Sequence, residues 1–246
     1  EFLKESIQSV LRQTYRPLQL VIVEDGTDNA RQVVDELLLP AGVTVTYEAL
    51  PKRGRCFAGN RGLELAQGEL FGFLDDDDLL LPDHVESLVG QLQAHPEAAA
   101  AYSSSWEIPT EVISLSPLKY VEGKKSLFGR ARFSIDALWN YNYIAIQSLL
   151  IKKDLFLKHG GFAEELDCLE DWDLWLRYTS EHDFVFLDKA TSEFRMPDNE
   201  SVLSSRRDQH LQYLPTLRKR QKGLLDSHAG AYSYSRLKSA FNTIQA

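Results

Sequence analysis

Four consecutive carboxylates, Asp75 to Asp78, follow directly on an apolar and aromatic run, residues 71–74. Like charges repel one another, so a fold that keeps four of them together needs full solvation or a positive charge beside them. A divalent cation is a candidate for that charge, because Mg²⁺ and Mn²⁺ prefer carboxylate oxygens as ligands. Successive side chains of an extended strand point to opposite sides, so Asp75 and Asp77 can share one ion. A solvated acidic turn is the simpler alternative, and Asp78 is expected to cap the helix that follows.

A second acidic pair, Glu24 and Asp25, closes the apolar, β-branched run of residues 18–23. Such a run is typical of a buried parallel strand, and the carboxyl ends of parallel strands meet at the sheet edge where α/β folds bind ligands. We therefore expect both acidic segments at one edge. Asp25 is a candidate for a hydrogen bond to a nucleotide base or ribose, and a capped turn is the alternative.

A short basic loop, Lys52 to Arg55, interrupts this acidic chain. Guanidinium groups match the geometry of phosphate oxygens, so Arg53 and Arg55 are candidates for neutralising phosphates in the same cleft. The glycine spacing around the loop does not match the dinucleotide-binding fingerprint. A solvated basic loop is the alternative for either arginine.

Two further carboxylates, Glu170 and Asp171, lie beside Trp172. Burial against an indole ring raises the pKa of a carboxyl group, which makes it a better general base near neutral pH. A Trp face is also a common platform for sugars. The alternative is an ordinary helix N-terminus, where the helix dipole favours acidic residues.

The elements that must position these residues alternate through the first 105 residues, which predicts an α/β fold with a mostly parallel sheet covered on both faces. Helices are expected over 2–14, 28–39, 56–66 and 82–94, and strands over 18–23, 43–47, 70–74 and 98–104.

Beyond residue 105 the periodicity weakens. Strands are expected over 143–151, 184–187 and 190–194, and helices over 152–159 and 168–178. From residue 200 the chain is polar, and a helical C-terminal tail is expected, with Tyr213, Tyr232, Tyr234 and Phe241 as its aromatic contacts.

Composition limits the classes of function. The net charge of −9 argues against nucleic acid as the main partner, because phosphate binding needs a basic face. Cys56 and Cys168 lie far apart without metal-ligand spacing, which suits a reducing compartment. No apolar run approaches the roughly 20 residues of a membrane span, and no signal peptide is expected. We expect a cytoplasmic protein, or one at the membrane periphery.

The motifs taken together resemble family 2 glycosyltransferases with the GT-A fold. The resemblance covers about residues 1–196 and is carried by segments that occur in the family's order: 6–15, 20–27, 59–69, 73–78, 160–162 and 170–177. It implies an inverting transferase that uses a nucleotide-diphosphate sugar, often a UDP-sugar, with Mn²⁺ or Mg²⁺, to build a polysaccharide or glycoconjugate.

The resemblance also implies a role for each motif residue. Asp25 would contact the base, Asp76 the ribose, Asp77 and Asp75 the metal, Asp171 would be the general base, and Glu170 and Trp172 would hold the acceptor. It divides the chain into a nucleotide-sugar half, residues 1–105, an acceptor half, residues 106–199, and a helical extension, residues 200–246.

Two features depart from the family pattern. The family's first strand, which touches the nucleotide, has no counterpart here, because residue 1 already lies in the helix that follows it. This suggests a piece of a longer protein, with further domains or an oligomer. A family His that can join the metal is replaced by Pro197, so Asp198, Asn199 or His210 would have to substitute, or the metal has one fewer protein ligand.

Two other functions compete with transfer. A non-catalytic GT-A domain would bind a nucleotide sugar or a protein without turnover, and only a turnover assay separates it from an enzyme. A phosphatase of the haloacid dehalogenase type also has Asp-x-Asp after an apolar strand. That motif continues with small turn residues, whereas Leu79 and Leu80 follow here.

Overall fold

The computed structural model describes residues 2–227, and helices and strands alternate through its first hundred residues as expected. The helices are α1 (Phe2–Leu11), α2 (Arg31–Asp35), α3 (Arg55–Leu65), α4 (His84–Ala94), α5 (Ile135–Asn140), α6 (Lys153–His159), α7 (Glu170–Tyr178) and α8 (Glu200–Ser227). The strands are β1 (Leu18–Asp25), β2 (Val43–Leu50), β3 (Leu70–Phe71), β4 (Leu79–Leu80), β5 (Ala100–Leu115), β6 (Leu118–Glu122), β7 (Ser126–Phe128), β8 (Leu149–Lys152) and β9 (Phe184–Pro197).

The strands form two hydrogen-bonded groups. β1 and β2 pair in parallel, with Leu18 opposite Val43. The larger sheet has the order β3-β8-β5-β9-β4, and β6 and β7 pair with the far part of β5. The two longest pairings, β1–β2 and β5–β9, are parallel, while the short strands add antiparallel neighbours. The short strands β3 and β4 flank the acidic run, so the sheet holds it at both ends.

Helices cover both faces of the larger sheet, which confirms the predicted α/β class. On one face, α4 packs Leu88, Val89 and Leu92 against Ala101 and Leu150. The other face carries the main core, whose largest fully buried side chains include Trp139, Trp175, Tyr102 and Tyr178. Helices α5, α7 and α8 contribute to this second core, so the motif of acidic and aromatic residues on α7 is anchored in the main core of the molecule.

Several predicted boundaries are wrong. Only residues 149–151 of the expected strand 143–151 form a strand, as part of β8. Residues 143–148 are a loop and a short 3₁₀ turn, Ile146–Ser148. The strands expected over 184–187 and 190–194 are one continuous strand, β9. The register of its pairing with β5 shifts between Ser103 and Ser105, which lets β9 continue through residues 188 and 189. Asp78 does not cap a helix, since α4 begins only after Asp83.

The C-terminal tail is helical through Ser227, as expected. Tyr213 belongs to α8, whereas Tyr232, Tyr234 and Phe241 lie outside the described residues. Within residues 2–227, every helix is too short or too polar to cross a bilayer.

Candidate active site

The acidic run forms a tight turn between β3 and β4. Oxygen atoms of Asp75, Asp77 and Asp78 lie within 4.8 Å of one another, and this is the only group of three potential metal ligands among residues 2–227. Asp76 is exposed and lies outside the group. The predicted pair of Asp75 and Asp77 is therefore together, and Asp78, predicted as a helix cap, joins it as a third carboxylate.

Two polar side chains hold this turn in place. The hydroxyl of Ser6 on α1 donates to the backbone oxygens of Asp75, at 3.2 Å, and Asp78. The backbone N–H of Arg195 on β9 donates to Oδ1 of Asp78 at 3.1 Å, and its guanidinium donates to the backbone oxygen of Asp77. Sequence reasoning missed both residues, because each lies more than sixty positions from the turn and belongs to no acidic motif.

The carboxylates of the turn oppose one another's ionisation. Burial, and then the charges of Asp77 and Asp75, raise the pKa of Asp78 to about 8. Burial and the neighbouring Asp75 and Asp76 also raise the pKa of Asp77. A group of hard oxygen ligands in which the ionisation of Asp77 and Asp78 is opposed by burial and acidic neighbours suits a divalent cation, since its charge removes that opposition.

Asp25, predicted to touch the nucleotide base, supports the basic loop. Its two oxygens accept the backbone N–H groups of Arg53 at 2.7 Å and Gly54 at 2.9 Å. Gly54 has φ 101°, a conformation that L-residues rarely adopt, so a glycine is required where α3 begins. The neighbouring Glu24 folds the turn after β1: burial alone would raise its pKa, but hydrogen bonds from Thr27 and other groups of that turn lower it to about 2.

The two predicted phosphate ligands have different surroundings. The Arg53 guanidinium lies 3.5 Å from the ring centroid of Phe57 and 3.9 Å from Glu164. Arg55 joins the two acidic motifs instead, because its guanidinium lies 3.3 Å from Asp75 and 3.0 Å from Glu170. Arg55 therefore links one carboxylate of the acidic turn to one carboxylate at the start of α7.

The N-terminus of α7 presents the second acidic pair. Leu169, just before it, has φ 66°, a left-handed conformation that costs a non-glycine residue about 1–2 kcal/mol. Glu170 is buried beside Arg55, and Asp171 follows. Burial, and then the charge of Glu170, raise the pKa of Asp171 to about 7, so this carboxyl group can take up a proton near neutral pH.

Trp172 is part of the core, so its predicted role as an open sugar platform is not supported. It is 6% exposed, its indole N–H donates to the backbone oxygen of Leu138 at 2.6 Å, and Arg218 of α8 lies over its ring. Trp172 therefore anchors the helix that carries Asp171.

The candidates for an extra metal ligand lie apart from the acidic turn. Asn199 caps α8 by accepting the N–H of Ser201 at 2.9 Å, and His210 is exposed on the same helix. Asp198 follows β9 and is outside the three-carboxylate group.

Comparison with known sequences identifies relatives of the whole motif set. The family model of glycosyl transferase family 2 matches residues 1–150, more than half of the chain. An uncharacterised glycosyltransferase of Methanocaldococcus jannaschii is 24% identical over 226 residues, which cover 89% of this chain and 74% of the relative. The glucosyl-dolichyl phosphate glucuronosyltransferase of Haloferax volcanii is 35% identical over 163 residues, 66% of this chain and 51% of that enzyme.

Solved structures share the fold across nearly the whole chain. Residues 1–349 of TarS from S. aureus, in complex with UDP-GlcNAc, match 99% of this chain and 67% of that one, with a TM-score of 0.71 and 13% identity. The mannosyltransferase PcManGT of Pyrobaculum calidifontis, in complex with GDP-Man and Mn²⁺, matches 99% of this chain and 69% of that one, with a TM-score of 0.63 and 19% identity. At these identities the likeness establishes the GT-A fold.

Proposed function

This chain belongs to glycosyltransferase family 2, and we propose that it is a metal-dependent, inverting enzyme that moves a sugar from a UDP-sugar to a hydroxyl group. The observation that carries the proposal is a pair of carboxylate groups joined through one guanidinium. One is a three-carboxylate turn suited to a cation, and the other is the acidic pair at the start of α7, in which the half-buried Asp171 has a raised pKa. Arg55 lies between them.

The acidic turn is the proposed donor site. Asp77 and Asp75 would hold Mn²⁺ or Mg²⁺, and Asp78 would complete the set. When bound, the ion would neutralise charge on the departing diphosphate. The exposed Asp76 is left free for the ribose, and Asp25 supports the loop that brings Arg53 and Arg55 towards the phosphates.

Asp171 is the proposed general base. It takes the proton of the acceptor hydroxyl while that oxygen forms a bond to the anomeric carbon of the donor sugar. The bond from that carbon to the diphosphate oxygen breaks on the opposite face, and its electron pair leaves with the diphosphate. Attack from the face opposite the leaving group inverts the anomeric configuration. Glu170, beside Asp171 and held by Arg55, is the proposed contact for further hydroxyl groups of the acceptor.

The relatives support the substrate classes. TarS binds UDP-GlcNAc and PcManGT binds GDP-Man with Mn²⁺, so a nucleotide-diphosphate sugar is the proposed donor class, with UDP-sugars tested first. The Haloferax enzyme acts, by its name, on glucosyl-dolichyl phosphate, which favours a polysaccharide or glycoconjugate acceptor.

The experiment measures release of nucleoside diphosphate from a panel of UDP- and GDP-sugars, with and without Mn²⁺, for wild type and two variants. Asp171→Asn should keep donor affinity and lose at least about 100-fold in rate, since it removes the base but preserves the shape of the side chain. Asp77→Ala should lose the metal-dependent part of donor binding.

Full transfer by Asp171→Asn would reassign the base, and unchanged UDP affinity of Asp77→Ala with and without Mn²⁺ would remove the metal site. Donor binding by the wild type with no turnover on any acceptor would favour the non-catalytic binding domain.

A further inference from the structure

Asp171 has a second partner that no acidic motif predicts. Its Oδ1 accepts the backbone N–H of Trp172 at 2.7 Å, and its Oδ2 accepts the side-chain amide of Asn142 at 2.8 Å. Each carboxylate oxygen can accept two hydrogen bonds, so lone pairs stay free for an acceptor hydroxyl. We propose that Asn142 is a positioning residue, which orients the Asp171 carboxylate and holds it ionised for proton abstraction. This inference rests on the proposed function, in which Asp171 is the base.

The orientation of the Asn142 amide is determined by a second hydrogen bond. Its Oδ1 accepts the backbone N–H of Ile144 at 3.2 Å. An amide that accepts there must turn its NH₂ group to the other side, which is where Asp171 lies. Asn142 can therefore only donate to Asp171, and a donor without acceptor capacity favours the ionised carboxylate over the protonated one.

The loop that carries Asn142 is anchored on both sides. Tyr143 and Ile144 are buried, at 5% and 1% exposure. The Tyr143 hydroxyl accepts the backbone N–H of Ser134 at 2.9 Å and donates to the Ser134 oxygen at 3.2 Å. Because this anchoring fixes the backbone on which Asn142 stands, its amide can hold the carboxylate in one direction.

Some of the groups around Asp171 raise the pKa of its carboxyl group and others lower it. Burial and Glu170 on α7 oppose ionisation of Asp171, and Arg55 on α3 favours it. From α8, Arg218 lies over the neighbouring Trp172 ring. Asn142 supplies a neutral donor from the fourth element, the loop between α5 and β8, so its removal takes one hydrogen bond and no charge away from Asp171.

The consequence is a shift of the acid limb of the pH–rate profile. With Asn142→Ala, the pKa of Asp171 should rise by about one, because one hydrogen bond to the charged form is lost. Asn142→Asp should raise it further, since two carboxyl groups at that distance share a proton. In both variants the plateau rate at high pH should fall about 10- to 100-fold, as the base is no longer oriented, while KM for the donor stays unchanged.

The matched control is Asn140→Ala. Asn140 lies two positions away and donates to the backbone oxygen of Asp136 at 2.7 Å, without contact to Asp171. Its pH–rate profile should coincide with that of the wild type. A purely structural role for Asn142 would lower the rate equally at all pH values and leave the acid limb in place.

A direct titration separates this inference from the proposed function. The ¹³C carboxyl resonance of Asp171, assigned by its absence in Asp171→Asn, should titrate at higher pH in Asn142→Ala than in the wild type. An identical titration curve in the two proteins overturns the inference. If the curve moves while Asp171→Asn retains full transfer, then Asn142 does set the proton affinity of Asp171, but Asp171 is not the base.

Discussion

Asp78 differs from its neighbours in the acidic turn because it is buried, at 5% exposure, while its only strong partner is a backbone N–H. Its pKa is raised from 3.8 to about 8 by burial and by Asp77 and Asp75. The folded protein therefore holds a proton on Asp78 where the unfolded chain has released it. The stability that this group contributes falls as the pH rises from about 4 to about 8.

Asp78→Asn should consequently stabilise the protein without metal at pH 7, by about 1–3 kcal/mol, because it removes the ionisable group and keeps the oxygen that accepts the Arg195 N–H. The gain in stability should be smaller at pH 5, where protonating Asp78 on folding costs less free energy. Urea denaturation in the presence of a chelator measures both values. Asp76→Asn, in the same turn but exposed, should change stability by less than about 0.5 kcal/mol. A destabilised Asp78→Asn at pH 7 would mean that the carboxylate is ionised and satisfied in the fold.

At the scale of elements, α8 is fastened to α7 by a buried ionic cluster. Asp173, at 3% exposure, accepts hydrogen bonds from Arg177 at 2.9 Å and from Arg220 at 2.6 and 3.0 Å. Arg218 and Gln221 of α8 also donate to the backbone oxygen of Trp139. The C-terminal helix thus supports the helix that carries Asp171, two positions before Asp173.

We predict that Arg220→Ala destabilises the protein by about 2–4 kcal/mol, since it leaves a buried carboxylate with one of its two cations. The matched control on the same helix is Arg207→Ala, whose partner Glu200 is exposed. That variant should cost less than about 0.5 kcal/mol. Chemical denaturation measures the loss of stability in both variants. Equal losses would show that the buried cluster stabilises the protein no more than an ordinary surface ion pair does.

At the scale of the whole molecule, the candidate site lies where the two halves of the chain meet. The acidic turn belongs to residues 1–105 and Asp171 to residues 106–199, and Arg55 spans the gap between them. Strands from both halves share the larger sheet, so the halves form one folded unit. The division into a donor and an acceptor half stays a prediction.

Ligands that bind the folded state raise its melting temperature by mass action. We expect UDP with Mn²⁺, at about 100 times Kd, to stabilise the protein by about 2.7 kcal/mol, or roughly 5–10 °C for a chain of this size. Either component alone should do less, because the cation and the diphosphate are proposed to share one site. Thermal-shift assays with UDP, GDP, Mn²⁺ and Mg²⁺ test this.

The control for the thermal-shift assay is Asp77→Ala, in which Mn²⁺ should no longer increase the shift caused by UDP. If Mn²⁺ leaves the UDP-induced shift of the wild type unchanged, the acidic turn does not bind the diphosphate through a cation.

Local patterns identified the features that short stretches of chain determine. The α/β alternation, the helical C-terminal tail as far as Ser227 and the acidic turn itself follow from periodicity and from consecutive residue types. Asp75 and Asp77 are together as predicted, although they lie in a turn and the strand whose alternation led to the prediction ends at Phe71. The extent of 143–151 was predicted wrongly, because tertiary contacts of Tyr143 and Ile144 override its strand propensity.

The sequence by itself determined the family, the fold class and the motifs that carry the chemistry, because each of these is written in consecutive residues. Only the tertiary structure decided that Asp78 joins the carboxylate group, that Trp172 is core, that Arg55 links the two acidic motifs, and that Asn142 holds Asp171. The reason is physical. Burial and charge at a site are set by groups from distant parts of the chain, such as Arg195 beside Asp78, and no local pattern encodes which distant groups will meet.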